Sequence, residues 1–269
     1  GVDYFDFYLL HNLSETSYDL YTDEDLGMVE YLLKQKRAGR IRHLGFSAHA
    51  RPETIERFLA WKDCFAFAQI QLNYLDWKLQ DAGHKYEILT EHGIPVVVME
   101  PVRGGRLASL NPGADAMLRA LRPQDSIASW AFRYLMSLPN VAVILSGMTT
   151  LEQLKDNLET CSDGTPLTSD EKDVLERAAS TLYNAVPCTA CRYCCEACPQ
   201  HLDIPKLISF HNEIKAGNPG TLRFTIGAMD PDSLPTACIA CGACVPLCPQ
   251  GIQIPDVMRQ CAEEIVKLI

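Results

Sequence analysis

Between positions 2 and 147, short apolar runs alternate with segments whose apolar residues recur every three or four positions. VDYFDFYLL, IRHLGFS, FAQIQL, IPVVVM and VAVILS have the length and composition of strands, and the later ones are apolar at consecutive positions. Such runs suit parallel strands covered by helices on both faces, and alternation of strands with helices predicts an α/β architecture. A helix is predicted over residues 24–38, with Leu26, Val29, Leu32 and Leu33 on its apolar face and Gly39 where a left-handed turn can end it. Thr150 with Gln153, and Thr168 with Glu171, have capping-box spacing. They predict helix starts there, running to about 160 and about 183.

Past Ala185 the pattern gives way to short loops rich in Cys and Pro. CTACRYCCEACPQHLDIPKLI, from Cys188, recurs fifty residues later as CIACGACVPLCPQGIQIPDVM, from Cys238, including the Ile-Pro that opens each following helix. Each copy reads C-x-x-C-x-x-C-x-x-x-C-P. In this iron-sulfur spacing three close thiolates hold one [4Fe-4S] cluster and the fourth Cys reaches the other. Cys188, Cys191, Cys194 and Cys248 are thus expected on one cluster, and Cys238, Cys241, Cys244 and Cys198 on the second. Two zinc sites would also need four thiolates each, but a duplicated triple-Cys run ending in Cys-Pro is not zinc-ribbon spacing. Cys195 breaks the repeat and reads as a bystander; Cys64, Cys161 and Cys261 read as small buried residues. PKLISFHNEIKAG, between the runs, reads as helix, so the module resembles a helical ferredoxin.

The chain has 269 residues and a formal charge of -10. That balance argues against nucleic acid or an anionic membrane as partner. It has neither a signal peptide nor a run of about 18 apolar residues, so a cytoplasmic location without a membrane span is expected. Twelve cysteines in such a chain point to metal or redox chemistry rather than disulfides.

In parallel α/β folds ligands gather at the carboxyl ends of strands. The residues there are His11-Asn12, Ser47-Ala48-His49, Asn73 with Gln69 inside its strand, Glu100 to Arg106, and Gly147 to Thr150. Gly104 and Gly105 beside Arg103 and Arg106, and the Gly147-Met148-Thr149-Thr150 turn opening a capped helix, offer backbone N–H groups and positive charge to a phosphate. The plainer reading makes the arginines solvated surface residues and His11 structural.

DYFDFYLLHNL, IRHLGFSAH, AQIQLNYLD, GIPVVVMEPVRGGRL and VILSGMTTLEQLKDN, in that order, resemble the second half of the aldo-keto reductase family over about residues 1 to 160, and the cysteine tail resembles its iron-sulfur branch. The resemblance implies part of a (β/α)8 TIM barrel, strands 4 to 8, over 1–163, a connecting helix over 164–187, and a small, mainly α-helical 2[4Fe-4S] ferredoxin-like domain over 188–269. It implies hydride transfer from NADP or NAD to a small-molecule carbonyl. His11 would hydrogen-bond the substrate carbonyl, and Ser47 and Gln69 would lie near the carboxamide. Met99 stands where an aromatic residue stacks on nicotinamide. Glu100, Pro101, Val102, Arg103, Gly104 and Gly105 would lie over the pyrophosphate and ribose with Gly147, Met148 and Thr149, and Gln153 and Asn157 near the adenosine.

The family's Asp, acidic Tyr and Lys belong to strands that have no counterpart here, and about 160 residues are too few to close a barrel that typically takes about 250. The chain is therefore expected to be an N-terminally truncated reductase, inactive alone. Tyr18 and Tyr21 follow His11 but fall outside the family motif. A second reading stays open: a non-catalytic electron-transfer or docking protein whose clusters serve a redox partner, since nicotinamide carries two electrons, a cluster one, and no flavin motif is visible.

Overall fold

The computed structural model describes residues 1–182, 185–215 and 222–268. Two compact units are formed, Gly1–Thr181 and Leu182–Ile269.

The first unit contains a parallel sheet of five strands in chain order: β1 (Phe5–Leu13), β2 (Ile41–Ala48), β3 (Ala68–Gln71), β4 (Val96–Met99) and β5 (Val141–Ile144). Each falls on one of the five apolar runs. The crossovers carry helices: α1 (Tyr18–Thr22) and α2 (Met28–Arg37), α3 (Pro52–Trp61), α4 (Asp76–Leu79) and α5 (Ala82–Glu91), then α6 (Pro112–Leu121) and α7 (Ile127–Met136). α8 (Leu151–Asp163) and α9 (Ser169–Ser180) follow β5. Both expected capping boxes are present at the starts of α8 and α9, and Gly39, at φ 76°, ends the α2 turn in the left-handed conformation. Leu26 lies outside α2 and is exposed. Residue 183, where the second capped helix was expected to end, lies outside the described residues.

Side chains on a strand alternate between the two faces of its sheet. On one face Leu44, Phe46, Ala68, Ile70, Val96 and Val98 are fully buried, with α2, α5 and α7 among the helices packed on the strands. Phe46, Phe58 and Phe65 form the aromatic centre of this layer, ring centroids 5.1–5.4 Å apart. Among the described residues the other face is only partly covered, contrary to the expectation of burial on both sides. Five strands make an open sheet, and the face a closed barrel would enclose leaves Phe7 67% and Val143 47% exposed.

α9 is not a free-standing connection. It packs against α6, and Arg122, at the end of α6, grips Glu171 with two hydrogen bonds of 2.6 and 3.1 Å. The first unit therefore extends to Thr181 rather than to 163.

The second unit contains α10 (Tyr193–Glu196), α11 (Ile204–Lys215), α12 (Leu222–Gly227) and α13 (Ile254–Leu268). α11 and α13 begin at the repeated Ile-Pro and pack against each other. His211 Nδ1 lies 2.8 Å from Glu264 Oε2, and Lys215 Nζ lies 3.1 Å from its Oε1, tying the pair together. Ala216 and Gly217, at the end of the expected helical stretch, lie outside the described residues.

The aromatic floor of the open face depends on Gly45. A Cβ there would stand 2.5 Å from the Phe67 carbonyl oxygen and 2.6 Å from the Phe67 ring, the ring that also meets Phe7 edge-on at 5.5 Å. Gly45→Ala is expected to destabilise the first unit by about 1–3 kcal/mol in denaturant unfolding; an unchanged midpoint would show that Phe67 can move aside freely.

Candidate functional site

The strand register brings the expected residues of the first unit together on the open face. Phe7 pairs with His43 and Leu9 with Gly45, Ser47 with Gln69, Gln69 with Val97 and Gln71 with Met99, and Val97 with Val143. His11 is exposed at the irregular end of β1, where the register with β2 shifts between Leu10 and Leu13. The order from the amino to the carboxyl ends of the strands is therefore an apolar floor of Phe7, His43 and Phe67, then His11, Ser47, Gln69 and Met99.

Local bonds hold these groups. The Asn12 N–H donates to Ser47 Oγ at 2.8 Å, across β1 and β2, with Asn12 in a left-handed conformation at φ 60°. Ser47 is buried but its hydroxyl hydrogen can still be donated. Gln69 Nε2 donates to Met99 Sδ at 3.5 Å. The Tyr21 hydroxyl donates to the His11 carbonyl oxygen, so this tyrosine is engaged with the His11 backbone.

The loop after β4 is built by left-handed residues at Glu100, Arg103, Gly104 and Gly105. Arg103, expected to offer its charge to phosphate, is instead wholly buried: its Nε donates to both carboxylate oxygens of Asp76, at 2.9 and 3.0 Å. Asp76 also accepts from Gln71 Nε2 at 2.7 Å and Asn73 Nδ2 at 2.6 Å, and Asn73 Nδ2 lies 2.9 Å from the Glu100 carbonyl oxygen. Phosphate contacts in this loop would then come from backbone N–H groups, not from this guanidinium. Burial, with Asp76 nearby, raises the Glu100 carboxyl above the usual carboxylate range despite a bond from Gly104 and the charge of Arg103. After β5, Gln153 Oε1 accepts from the Thr149 and Thr150 amides at 2.8 and 3.3 Å, and Asn157 Nδ2 donates to Ser146 Oγ at 3.0 Å. The groups expected near an adenosine thus shape the loop itself, while Gly147 and Met148 face open space or solvent.

Two groups had little or no signal in the sequence, His49 only its place after β2 and Lys85 none. Burial first, then the charges of Lys85 and His11, depress His49 to about 4, leaving it neutral at pH 7. Lys85, in the first turn of α5, is nine-tenths buried; burial lowers its pKa, with Glu15, Asp76 and Asp81 opposing.

In the second unit the eight repeat cysteines surround two hollows. Cys188, Cys191, Cys194 and Cys248 line one, and Cys198, Cys238, Cys241 and Cys244 line the other. The partition crosses the repeats as the spacing implies. Backbone geometry repeats too: Ala190, Arg192 and His201 are left-handed, as are Ala240, Gly242 and Gly251 fifty residues on. The Cys198 and Cys248 amides close matching turns onto Cys195 and Val245 at 3.2 and 3.1 Å.

Among the described residues no three donors converge as one mononuclear ion would require. The thiols line each hollow in fours, an arrangement suited to a cube of alternating iron and sulfide whose four irons each take one thiolate. Burial and neighbouring thiols push Cys194 well up as a free thiol, so loading must drive off its proton. Cys261 is buried and donates to the Leu207 carbonyl at 3.5 Å, and Cys64 is half-buried. Cys161, by contrast with the expectation, is exposed on α8.

Polar groups at the carboxyl ends of parallel strands and two four-thiol hollows define a barrel-type α/β unit joined to an iron-sulfur module. The family model described as "Aldo/keto reductase family" matches residues 1–179, and that described as "4Fe-4S dicluster domain" matches residues 187–252. The chain belongs to the aldo/keto reductase family and carries a 4Fe-4S dicluster domain.

It is 26% identical over 201 residues to the "Uncharacterized oxidoreductase YqkF" of Bacillus subtilis (strain 168), covering 65% of this chain and 60% of that protein. It is similar in fold to the holo form of aldo-keto reductase AKR11C1 from Bacillus halodurans, at TM-score 0.51 and 25% identity, over 66% of this chain and 59% of that one. For the thermostable aldo-keto reductase Tm1743 in complex with epalrestat, the TM-score is 0.53 at 20% identity, over 66% of this chain and 61% of that one, a likeness of fold alone. The chain spans about 60% of the length of these relatives. No helix among the described residues is long and apolar enough to cross a membrane.

Arg103→Ala leaves the Asp76 carboxylate buried without its cation and is expected to cost about 3–5 kcal/mol of first-unit stability, measured by chemical unfolding; a loss under about 1 kcal/mol would mean that Asn73 and Gln71 suffice. In the reconstituted protein, Cys198→Ser is expected to expose Cys238, Cys241 and Cys244 to alkylation while Cys188, Cys191, Cys194 and Cys248 stay protected. Mass mapping that found the opposite set exposed would overturn the crossed partition.

Proposed function

We propose that this protein is an aldo-keto reductase-type oxidoreductase that reduces an aldehyde or ketone carbonyl of a small molecule with NADP or NAD, and that its C-terminal unit holds two [4Fe-4S] clusters serving a redox partner protein. The observation that carries this reading is the placement of His11, Ser47, Gln69 and Met99 together at the carboxyl end of the open sheet face. When bound, the nicotinamide supplies hydride and the clusters supply one-electron capacity.

His11, with its ring exposed, hydrogen-bonds the carbonyl oxygen and orients it. Ser47, whose oxygen is held by the Asn12 amide, and Gln69 fix the carboxamide. Met99, lying against Gln69, gives the apolar surface beneath the ring in place of an aromatic. Backbone N–H groups of the Glu100–Gly105 and Gly147–Thr149 turns hold the pyrophosphate and ribose, with Gln153 and Asn157 setting the loop by the adenosine. Neutral His49 lies behind His11 as a positioning group.

An alkoxide produced by hydride addition needs a proton. Tyr21 bonds the His11 backbone, so in this reading the acid comes from further strand-helix units that close the barrel and cover the open face. The exposed apolar floor, Phe5 and Phe7 above all, favours such a cover. It would serve equally a docking scaffold in a pure electron-transfer protein, which is the second reading.

The test is carbonyl-dependent oxidation of NADPH or NADH over a panel of aldehydes and ketones. The 269-residue chain is expected to give none, and the same chain preceded by three further strand-helix units to give turnover that falls about 10²-fold or more in His11→Ala. Equal turnover by both forms would contradict the closed-barrel requirement. No turnover by the extended form, with its clusters still reoxidised by a protein partner, would favour electron transfer alone.

A further inference from the structure

The duplicated cysteine unit is matched in backbone but not in charge. Arg192 and Gly242 occupy equivalent positions, both left-handed, at φ 69° and 77°. Glycine adopts that conformation freely, whereas a side chain there costs about 1–2 kcal/mol. Arginine therefore occupies a place that the second repeat fills at lower conformational cost, and what its side chain does is visible. Arg192 lines the Cys188 hollow with Thr189 and Gln250. The Cys238 hollow has no charged residue in its lining; Ile239, Gly242, Leu202 and Met258 are among the residues that edge it.

Arg192 Nη1 lies 3.0 Å from Asp203 Oδ1, both half exposed. Asp203 does not line the hollow, and the Arg192 guanidinium is within electrostatic reach of Cys195 and Cys194. The second repeat has Gly242 and Gln253 at these places and lacks both charges. The following helices add the same sign. Lys206 follows Pro205, which edges the first hollow, whereas Asp256, 3.8 Å from Arg259, follows Pro255, which edges the second. The opposing charge of the first run is Glu196 on α10, which is exposed and outside the lining.

We infer that Arg192 sets the two clusters apart in reduction potential, holding the one at Cys188, Cys191, Cys194 and Cys248 at the more positive value, so that a single electron entering the module comes to rest there. Taking up one electron from an external one-electron reductant adds a negative charge to a cluster already bound by four thiolates, with no bond made or broken. A nearby cation stabilises that added charge, and an apolar surround opposes it. The inference rests on the proposed two-cluster loading.

The experiment is an anaerobic potentiometric titration of the reconstituted full chain, followed by electron paramagnetic resonance, with iron and sulfide content measured on each sample. The parent is expected to give two separable waves, and Cys198→Ser to retain the more positive one. Arg192→Gly, which suits the backbone and copies the second repeat, should move only that wave to more negative potential. Asp203→Asn, which frees the guanidinium, should move the same wave the other way.

Coincident waves in the parent would overturn the inference, as would variants that move the lower wave, both waves equally, or neither. If Arg192→Gly loads poorly, Arg192→Gln and Asp203→Asn decide by the same signs. Iron and sulfide too low for two clusters in the parent itself would refute the loading, a failure distinct from unshifted waves in fully loaded protein.

Discussion

Neither cysteine run can finish its own ring of four thiols, and the C-terminal unit takes its shape from that constraint. Three cysteines in a tight loop face a hollow whose fourth corner is filled from the other repeat, so both loops must lie side by side, with Ile254 edging both hollows. The left-handed residues of each loop bend it about the thiols, and α11 and α13 close over the pair through a core that includes Leu207, Ile208, Met258 and Ile265. Cys194 and Cys244 belong to that core, and binding a metal through them would release their protons.

The N-terminal unit obeys a different constraint. Parallel strands can be joined only by crossovers, and the helices in those crossovers bury one face of the sheet. Phe46, Ile70, Val96 and Val98 are consumed in that packing. What is left for chemistry is the alternate set of positions, and it is there that His11, Ser47, Gln69 and Met99 lie. The loops beyond them are fixed from below by Asp76, whose carboxylate collects Arg103, Gln71 and Asn73. A buried ion pair of this kind contributes little net stability when intact, yet removing one partner is costly. Its role here is to fix the path of the β4 loop.

Features carried by near neighbours in sequence were the readable ones. The five strands, the capping boxes of α8 and α9, the Gly39 turn and the close triplets of cysteine in each repeat all follow from local spacing. Features that depend on distant partners were not. Arg103 reads as a solvated or phosphate-facing cation until Asp76, far off in the chain, is found against it. The apolar β5 run suggested burial on both faces, but none of its four residues is fully buried. Cys161 shares its residue type with Cys261, yet one is exposed on α8 and the other buried between α11 and α13; no local signal separates them.

The central claim is that eight cysteines form two crossed four-thiol rings, each around a four-iron cluster. Its most direct test is an anomalous difference map at the iron edge from crystals of the anaerobically reconstituted protein. The account predicts two four-iron peaks, one inside the ring of Cys188, Cys191, Cys194 and Cys248 and one inside that of Cys198, Cys238, Cys241 and Cys244. A single-atom peak in either ring, or a peak bound by all four cysteines of one run, would contradict it.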